Sequence, residues 1–303
     1  MRSYNMANFH GIIPPVATIV TADGQLNKQG MKNMIDAVIK GGVHGLFFLG
    51  SAGEVMHMTD KLRQEVMEFC IAYTNKRLPV LVGAIGCGTQ SVIEYSKAAE
   101  KAGADGLVLL NPYYAAMPDD ALFRHFATVM DNVSIPGMVY NLPMATNQSM
   151  TPEFIKRVAL GIPSIVGCKD TVDTISHIRA LILAIKPERP DFKVFAGFDE
   201  YLFSTLLIGG DGCVPASANF APHLTVGIYE AFQKKDWVEI QRLQNLMGHV
   251  PPLYSMGPPF YAAMKEAIRM SGVDITTDVL APSLPADEKT RKAVAALMEK
   301  VKG

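Results

Sequence analysis

The sequence predicts an α/β fold, a (β/α)8 TIM barrel with additional C-terminal helices. Three observations carry this. Short apolar runs bounded by Gly or Pro recur along the chain at steps of roughly 20 to 35 residues. Most are followed by an amphipathic stretch, and 49% of the 303 residues are apolar, enough to fill a large core.

In order, the runs are Gly11 to Ile19, Gly45 to Leu49, Pro79 to Gly83, Gly106 to Leu110, Pro136 to Tyr140, Ser164 to Cys168, Lys193 to Ala196 and Asp211 to Val214. They are near-continuously apolar, as parallel strands buried on both faces are. The stretches between them read as helices. Met31, Met34, Ile35, Val38 and Ile39 form one stripe at helical spacing, with Asn27 as N-cap and Gly41-Gly42 as stop. Thr89 is the expected cap of the third helix and Gly103 its end. Thr151-Pro152-Glu153 sets a cap, an N1 proline and an acidic first turn in sequence. After the eighth run, 222–235, 237–247, 259–271 and 287–302 are all helical in period. An open doubly wound sheet would favour Gly-x-Gly-x-x-Gly after an early strand, but Gly83-Ala84-Ile85-Gly86-Cys87-Gly88 has another spacing and follows the third run. The predicted organisation is therefore one domain: a barrel over 1–235 carrying the active site, and a helical extension over 236–303 packed on it.

A net charge of −1 and a pI near 6.7 leave no broad electrostatic footprint for nucleic acid or an anionic membrane. No apolar run approaches the roughly 20 residues that span a bilayer. The first nine residues are too polar for a secretory signal, and those before Gly11 read as an alternative start or a disordered arm, so a cytoplasmic protein is expected. Cys70, Cys87, Cys168 and Cys213 lack the spacing of a zinc or redox motif and read as buried free thiols. The seven histidines are scattered; His10, His57 and His177 could approach a site but read as ordinary surface or core. No metal site is expected.

In such barrels chemistry sits at the C-terminal ends of the strands. The second strand ends Gly50-Ser51-Ala52-Gly53-Glu54, where glycines let amides turn inward and Ser51 adds a hydroxyl, a combination suited to a carboxylate. The fourth ends Asn111-Pro112-Tyr113-Tyr114 and the fifth Tyr140-Asn141-Leu142-Pro143. A tyrosine there serves as an amphipathic plug or passes protons. The sixth runs into Cys168-Lys169-Asp170-Thr171. A lysine following an apolar strand points into the barrel mouth, where burial disfavours the charged amine and favours the nucleophilic one. Pairing Lys169 with Asp170 is awkward, because adjacent residues leave a strand on opposite faces. Tyr140, on the neighbouring strand, falls within reach of the amine.

Gly-[Ser/Thr]-x-Gly-Glu, Pro-Tyr-Tyr, Tyr-Asn-x-Pro and Gly-x-Lys-[Asp/Glu], found here in order at residues 50–54, 112–114, 140–143 and 167–170, resemble the pattern of the dihydrodipicolinate synthase/N-acetylneuraminate lyase superfamily of Schiff-base barrels. The resemblance covers essentially the whole chain. It looks most like the bacterial 2-keto-3-deoxy-sugar-acid (2-keto-3-deoxygluconate) aldolases, through Gly11-Ile12-Ile13-Pro14-Pro15 and Cys168 to Asp173. The resemblance implies an imine on Lys169, proton shuttling by Tyr140, and a pyruvate carboxylate held by Ser51 and the amide of Ala52. It also implies a homotetramer in which Tyr114 enters a neighbouring subunit's site, and no cofactor, the imine being the electron sink.

Departures from the pattern bear on substrate. Ala145 stands where dihydrodipicolinate synthases carry the arginine that binds the second substrate's carboxylate, and Ala52 replaces the second hydroxyl of the usual Thr-Thr pair. Thr171 matches a threonine of sialate lyases and sugar-acid aldolases. Gly197-Phe198-Asp199-Glu200 resembles a segment that touches sugar hydroxyls in sialate lyases; Asp199 and Glu200 read equally as the acidic first turn of a helix. Gly53, Thr146 and Val214 complete the candidate substrate contacts. The reading is reversible cleavage of a 2-keto-3-deoxy sugar acid to pyruvate and a hydroxyaldehyde. Dehydration of such an acid on the same imine is the alternative, with condensation to dihydrodipicolinate third. A barrel that binds sugar acids without turnover is the alternative from another class.

Overall fold

The computed structural model describes residues 9–257 and 259–302. The expectations for the first eight residues lie outside the described residues. Eight parallel strands alternate with helices: β1 Gly11–Ile12, β2 Leu46–Phe48, β3 Val80–Gly83, β4 Gly106–Leu110, β5 Gly137–Asn141, β6 Ile165–Asp170, β7 Lys193–Ala196 and β8 Gly212–Cys213. They pair in the order β1-β8-β7-β6-β5-β4-β3-β2. The last seam closes by irregular bonding: His44 N donates to Ile12 O at 2.7 Å, Phe47 N to Pro14 O at 3.0 Å and Val16 N to Phe47 O at 2.8 Å. A ladder over the whole expected run 11–19 does not form, because Pro14 and Pro15 have no N–H to give it.

The helices are α1 Lys28–Lys40, α2 Asp60–Thr74, α3 Thr89–Ala102, α4 Asp119–Met130, the single turn α5 Pro143–Thr146, α6 Pro152–Gly161, α7 Ile175–Ile185, α8 Leu202–Leu207 and α9 Pro222–Lys234, followed by α10 Trp237–Met247, α11 Tyr261–Met270 and α12 Glu288–Val301. Asn27 caps α1 by accepting from Gly30 N at 2.9 Å, and Thr151 caps α6 by accepting from Phe154 N at 3.2 Å. Thr89 does not cap α3. It is the helix's first residue and its hydroxyl bonds His125 Nδ1 at 2.9 Å, while Gly88 takes the cap position without a side chain. Gly103 ends α3 at φ 94°. Three cysteines are buried as expected, but Cys87 is exposed, since it lies past the end of β3 in the loop to α3.

The segment after α9 packs against the end of the barrel where the strands finish. Gln244 donates to Glu200 O at 2.9 Å, Tyr254 reaches Asp199, and Lys265 reaches Glu54. Among the described residues no helix is long and apolar enough to cross a membrane.

Candidate active site

The pleat decides where Lys169 points. Lys169 and Asp170 lie inside β6, not beyond it, and leave it on opposite faces. Asp170 goes outward, accepting from Asn141 Nδ2 at 2.8 Å and His177 Nδ1 at 2.9 Å. Lys169 goes inward and is 5% exposed, its Nζ 4.1 Å from the Tyr140 ring centroid and 5.6 Å from that of Phe47. Tyr140 is its register partner on β5. Among the described residues the amine makes no hydrogen bond and no ion pair. It is a buried amine bounded by aromatic faces rather than by carboxylates.

Phe47 belongs to β2, so the turn that follows opens on the same mouth. That turn is a 3-10 helix over Ser51–Gly53, entered through Gly50 and left through Glu54 at φ 61°. Ala52 and Gly53 are buried and Ser51 is half-buried. Gly53 is closely packed: an added Cβ would sit 3.2 Å from both Thr18 Oγ1 and Val16 O, and a neighbour would have to give by a few tenths of an ångström.

On the other side of Lys169, Thr171 directly follows β6, its Oγ1 buried and without a partner among the described residues. Gly197, after β7, lies directly against it: a Cβ there would stand 1.8 Å from Thr171 Oγ1. Val214 closes the ring after β8, donating its N–H to Ala196 O at 2.8 Å. Asp199 opens the 3-10 turn before α8 and is buried, its Oδ2 accepting from Ser217 N at 3.2 Å and from the Tyr254 hydroxyl. Burial pushes its carboxyl up to about 6, with neighbouring Glu200 adding to the rise and Tyr254 opposing it. Burial raises Glu200 as well, and its Oε2 has no hydrogen-bond partner among the described residues. The Cys213 thiol lies among these groups: burial and the carboxylates of Asp199 and Glu200 push it up, and the Lys169 charge opposes them.

Two expected residues stand apart. Thr146 is fully buried in α5 with its hydroxyl directed to Leu142 O at 3.1 Å and Gln148 O at 2.9 Å, inside its own turn. Tyr114 points away into solvent, 95% exposed at φ 78°. Among the three histidines, His10 contacts Tyr229 and His44 beside the start of β1, His57 packs on Tyr261, and His177 holds Asp170. Among the described residues no group of three or more His, Cys, Asp or Glu side chains is placed to hold a metal ion.

The sequence reading did not single out Phe47, Tyr254, Tyr261 or Lys265. For Lys265 a signal existed: Tyr261, Met264, Lys265 and Ile268 fall on one helical stripe, where a lone cation among apolar residues demands a buried partner. For Tyr254 none existed, since its partner Asp199 is 55 residues away.

A profile of the dihydrodipicolinate synthetase family matches residues 8–301. YagE of Escherichia coli K12, provisionally named a 2-dehydro-3-deoxy-D-gluconate aldolase, is 42% identical, the match covering 98% of this chain and 98% of its own. YjhH of the same organism, provisionally named a 2-dehydro-3-deoxy-D-pentonate aldolase, is 38% identical over 97% of each chain. The crystal structure of YagE in complex with pyruvate superposes with a TM-score of 0.95, covering 97% of this chain and 98% of that one. The dihydrodipicolinate synthase of Thermotoga maritima shares the fold, with a TM-score of 0.92 at 24% identity over 97% of this chain and 99% of that one.

Proposed function

The chain belongs to the dihydrodipicolinate synthetase family, and from that premise we propose that it is a class I lyase cleaving a 2-keto-3-deoxy sugar acid reversibly to pyruvate and a hydroxyaldehyde. The observation that carries this reading is the buried Lys169 amine, free of any carboxylate partner and 4.1 Å from the Tyr140 ring. The names of YagE and YjhH, and the pyruvate bound to YagE, agree with it.

In this reading Lys169 Nζ attacks the C2 ketone and water leaves, giving a protonated imine. Tyr140 removes the C4 hydroxyl proton, the C3–C4 electron pair moves into the imine, and the hydroxyaldehyde departs. Protonation of the enamine at C3 and return of water release pyruvate and the free amine. The iminium nitrogen is the electron sink, so the cycle requires no further cofactor. Ser51 and the amide of Ala52 hold the carboxylate; Gly53, Gly197 and Val214 shape the walls. Thr171 Oγ1, buried without a partner, is suited to a substrate hydroxyl, with Asp199 and Glu200 lining the far side. Ala145 is exposed and offers no bidentate anchor for a second carboxylate, which disfavours condensation to dihydrodipicolinate. Exposed Tyr114 is assigned to a neighbouring subunit's site in a homotetramer of a cytoplasmic enzyme.

Borohydride reduction in the presence of pyruvate tests the chemistry. A pyruvate-sized adduct mapping to Lys169, and lost in Lys169→Ala, is the expected result. An active, folded preparation that forms no adduct would sink the imine. Pyruvate release from a sugar acid in a coupled assay then separates cleavage from dehydration, which would yield a 2-oxo semialdehyde instead.

A further inference from the structure

Glu54 and Lys265 form an ion pair with both side chains fully excluded from solvent, Nζ lying 2.5 Å from Oε1. Each side chain makes one further hydrogen bond. Glu54 Oε2 accepts the Leu280 N–H at 2.7 Å, and Lys265 Nζ donates to Asp278 O at 2.6 Å. Burial draws the Lys265 ammonium down from the usual lysine range, and the Glu54 charge opposes it. Desolvating two charges offsets most of what their attraction returns, so such a pair is a poor device for stability alone.

Its position gives it another role. Glu54 immediately follows the Ser51–Gly53 turn and takes the left-handed conformation, φ 61°, that non-glycine residues rarely adopt. Its carboxylate is held from the C-terminal segment, by Lys265 and by the Leu280 N–H. Gly53 lies beside Thr18 and Val16, where an added Cβ would stand 3.2 Å from Thr18 Oγ1 and from Val16 O. Tyr261, one helical turn before Lys265 on α11, is buried on the same face with its ring 5.7 Å from that of His57. Helix α11 therefore meets the segment 54–57 twice.

We propose that Lys265 is a positioning residue for substrate-carboxylate capture: through Glu54 it fixes the Ser51–Gly53 turn against the Lys169 amine, which makes the C-terminal segment part of the site. The proposal rests on the imine reading above. It predicts a split in kinetic effects, with capture of pyruvate weakened and the chemistry of the captured species largely kept.

The test is the pyruvate dependence of borohydride trapping in Glu54→Leu/Lys265→Met, which removes both buried charges together and leaves neither stranded. Half-saturation should rise about tenfold to a hundredfold, the scale of one weakened hydrogen bond to a charged group, while trapping at saturating pyruvate stays near the wild-type rate. A folded double variant whose half-saturation lies within about twofold of wild type overturns the proposal. The second measurement uses only the wild-type protein. Since coupling between two sites is reciprocal, the reduced pyruvate adduct should slow hydrogen exchange at the Leu280 amide, whose acceptor is Glu54. Unchanged exchange there overturns the proposal whether or not the double variant folds. A wild-type protein that traps no pyruvate fails the imine reading and this proposal with it. An adduct with unmoved half-saturation and exchange fails this proposal alone.

Discussion

A methyl group at Gly197 would stand 1.8 Å from Thr171 Oγ1, 2.7 Å from Thr171 Cβ and 3.1 Å from Thr171 Cα. Rotating the threonine moves neither its Cβ nor its Cα, so the 2.7 Å overlap stays and the strand end carrying Lys169 must shift. Gly197→Ala is therefore expected to cost about 1–3 kcal/mol, as overpacking does, and to lower sugar-acid turnover. Denaturant midpoints beside steady-state kinetics check this; an unchanged midpoint would mean that the β6 and β7 ends are looser than the structure has them. The same residues show what is legible at this scale. Lys169 was readable because a lone lysine at the end of an apolar run cannot pair with the adjacent Asp170, which leaves the strand on its other face. Thr171 and Gly197 were readable only as family positions, since nothing local in the sequence says that the hydroxyl of one fills the space the other lacks. The Thr146 hydroxyl turns into its own helix, a local side-chain-to-backbone bond that competes with any role in the mouth.

Between β5, β6 and α7, the outward face carries a network in which Asp170 takes hydrogen bonds from Asn141 and His177, while Asn141 also holds Met150 N at 3.0 Å. Burial disfavours the charged form of His177, but the hydrogen bond and charge of Asp170, a backbone bond to Met150 and the charge of Glu153 outweigh it, so its titration is raised. The sign follows from linkage. A folded-state value above the unfolded one adds stability that is full below the unfolded value, about pH 6.5, and is lost as pH climbs through the folded value. The melting temperature lost in His177→Asn should thus be larger at about pH 6 than at about pH 8.5. An equal loss at both would mean that neutral imidazole does the holding. Strands and helices at this scale were legible from period alone: β4 and β7 match their apolar runs end to end, and α10 matches its stripe. The first run misled because apolarity does not report missing donors, and Pro14 and Pro15 break the ladder that the composition suggests.

Over the whole chain, the barrel was readable from eight repeats of one signal, whereas the reach of the last helices into the mouth was not. Tyr254 and Lys265 find Asp199 and Glu54 across 55 and 211 positions, and periodicity carries no information at such separations. Assembly is the next step of the same kind. Tyr114 adopts φ 78° and stands 95% exposed. A bulky residue in that region costs of order 1–3 kcal/mol, and among the described residues its side chain makes no hydrogen bond, which suits a side chain completed by a second copy. Complementation tests this directly. Tyr114→Phe subunits keep Lys169, and Lys169→Ala subunits keep Tyr114, so in the homotetramer proposed above each variant should be impaired by itself. Dissociated and reassembled together, they should recover about a quarter of wild-type activity, because half the subunits carry the amine and random pairing gives half of those an intact neighbour. No recovery above the separate variants would place Tyr114 in its own subunit's service, or in none, and the exposed tyrosine would then need another explanation.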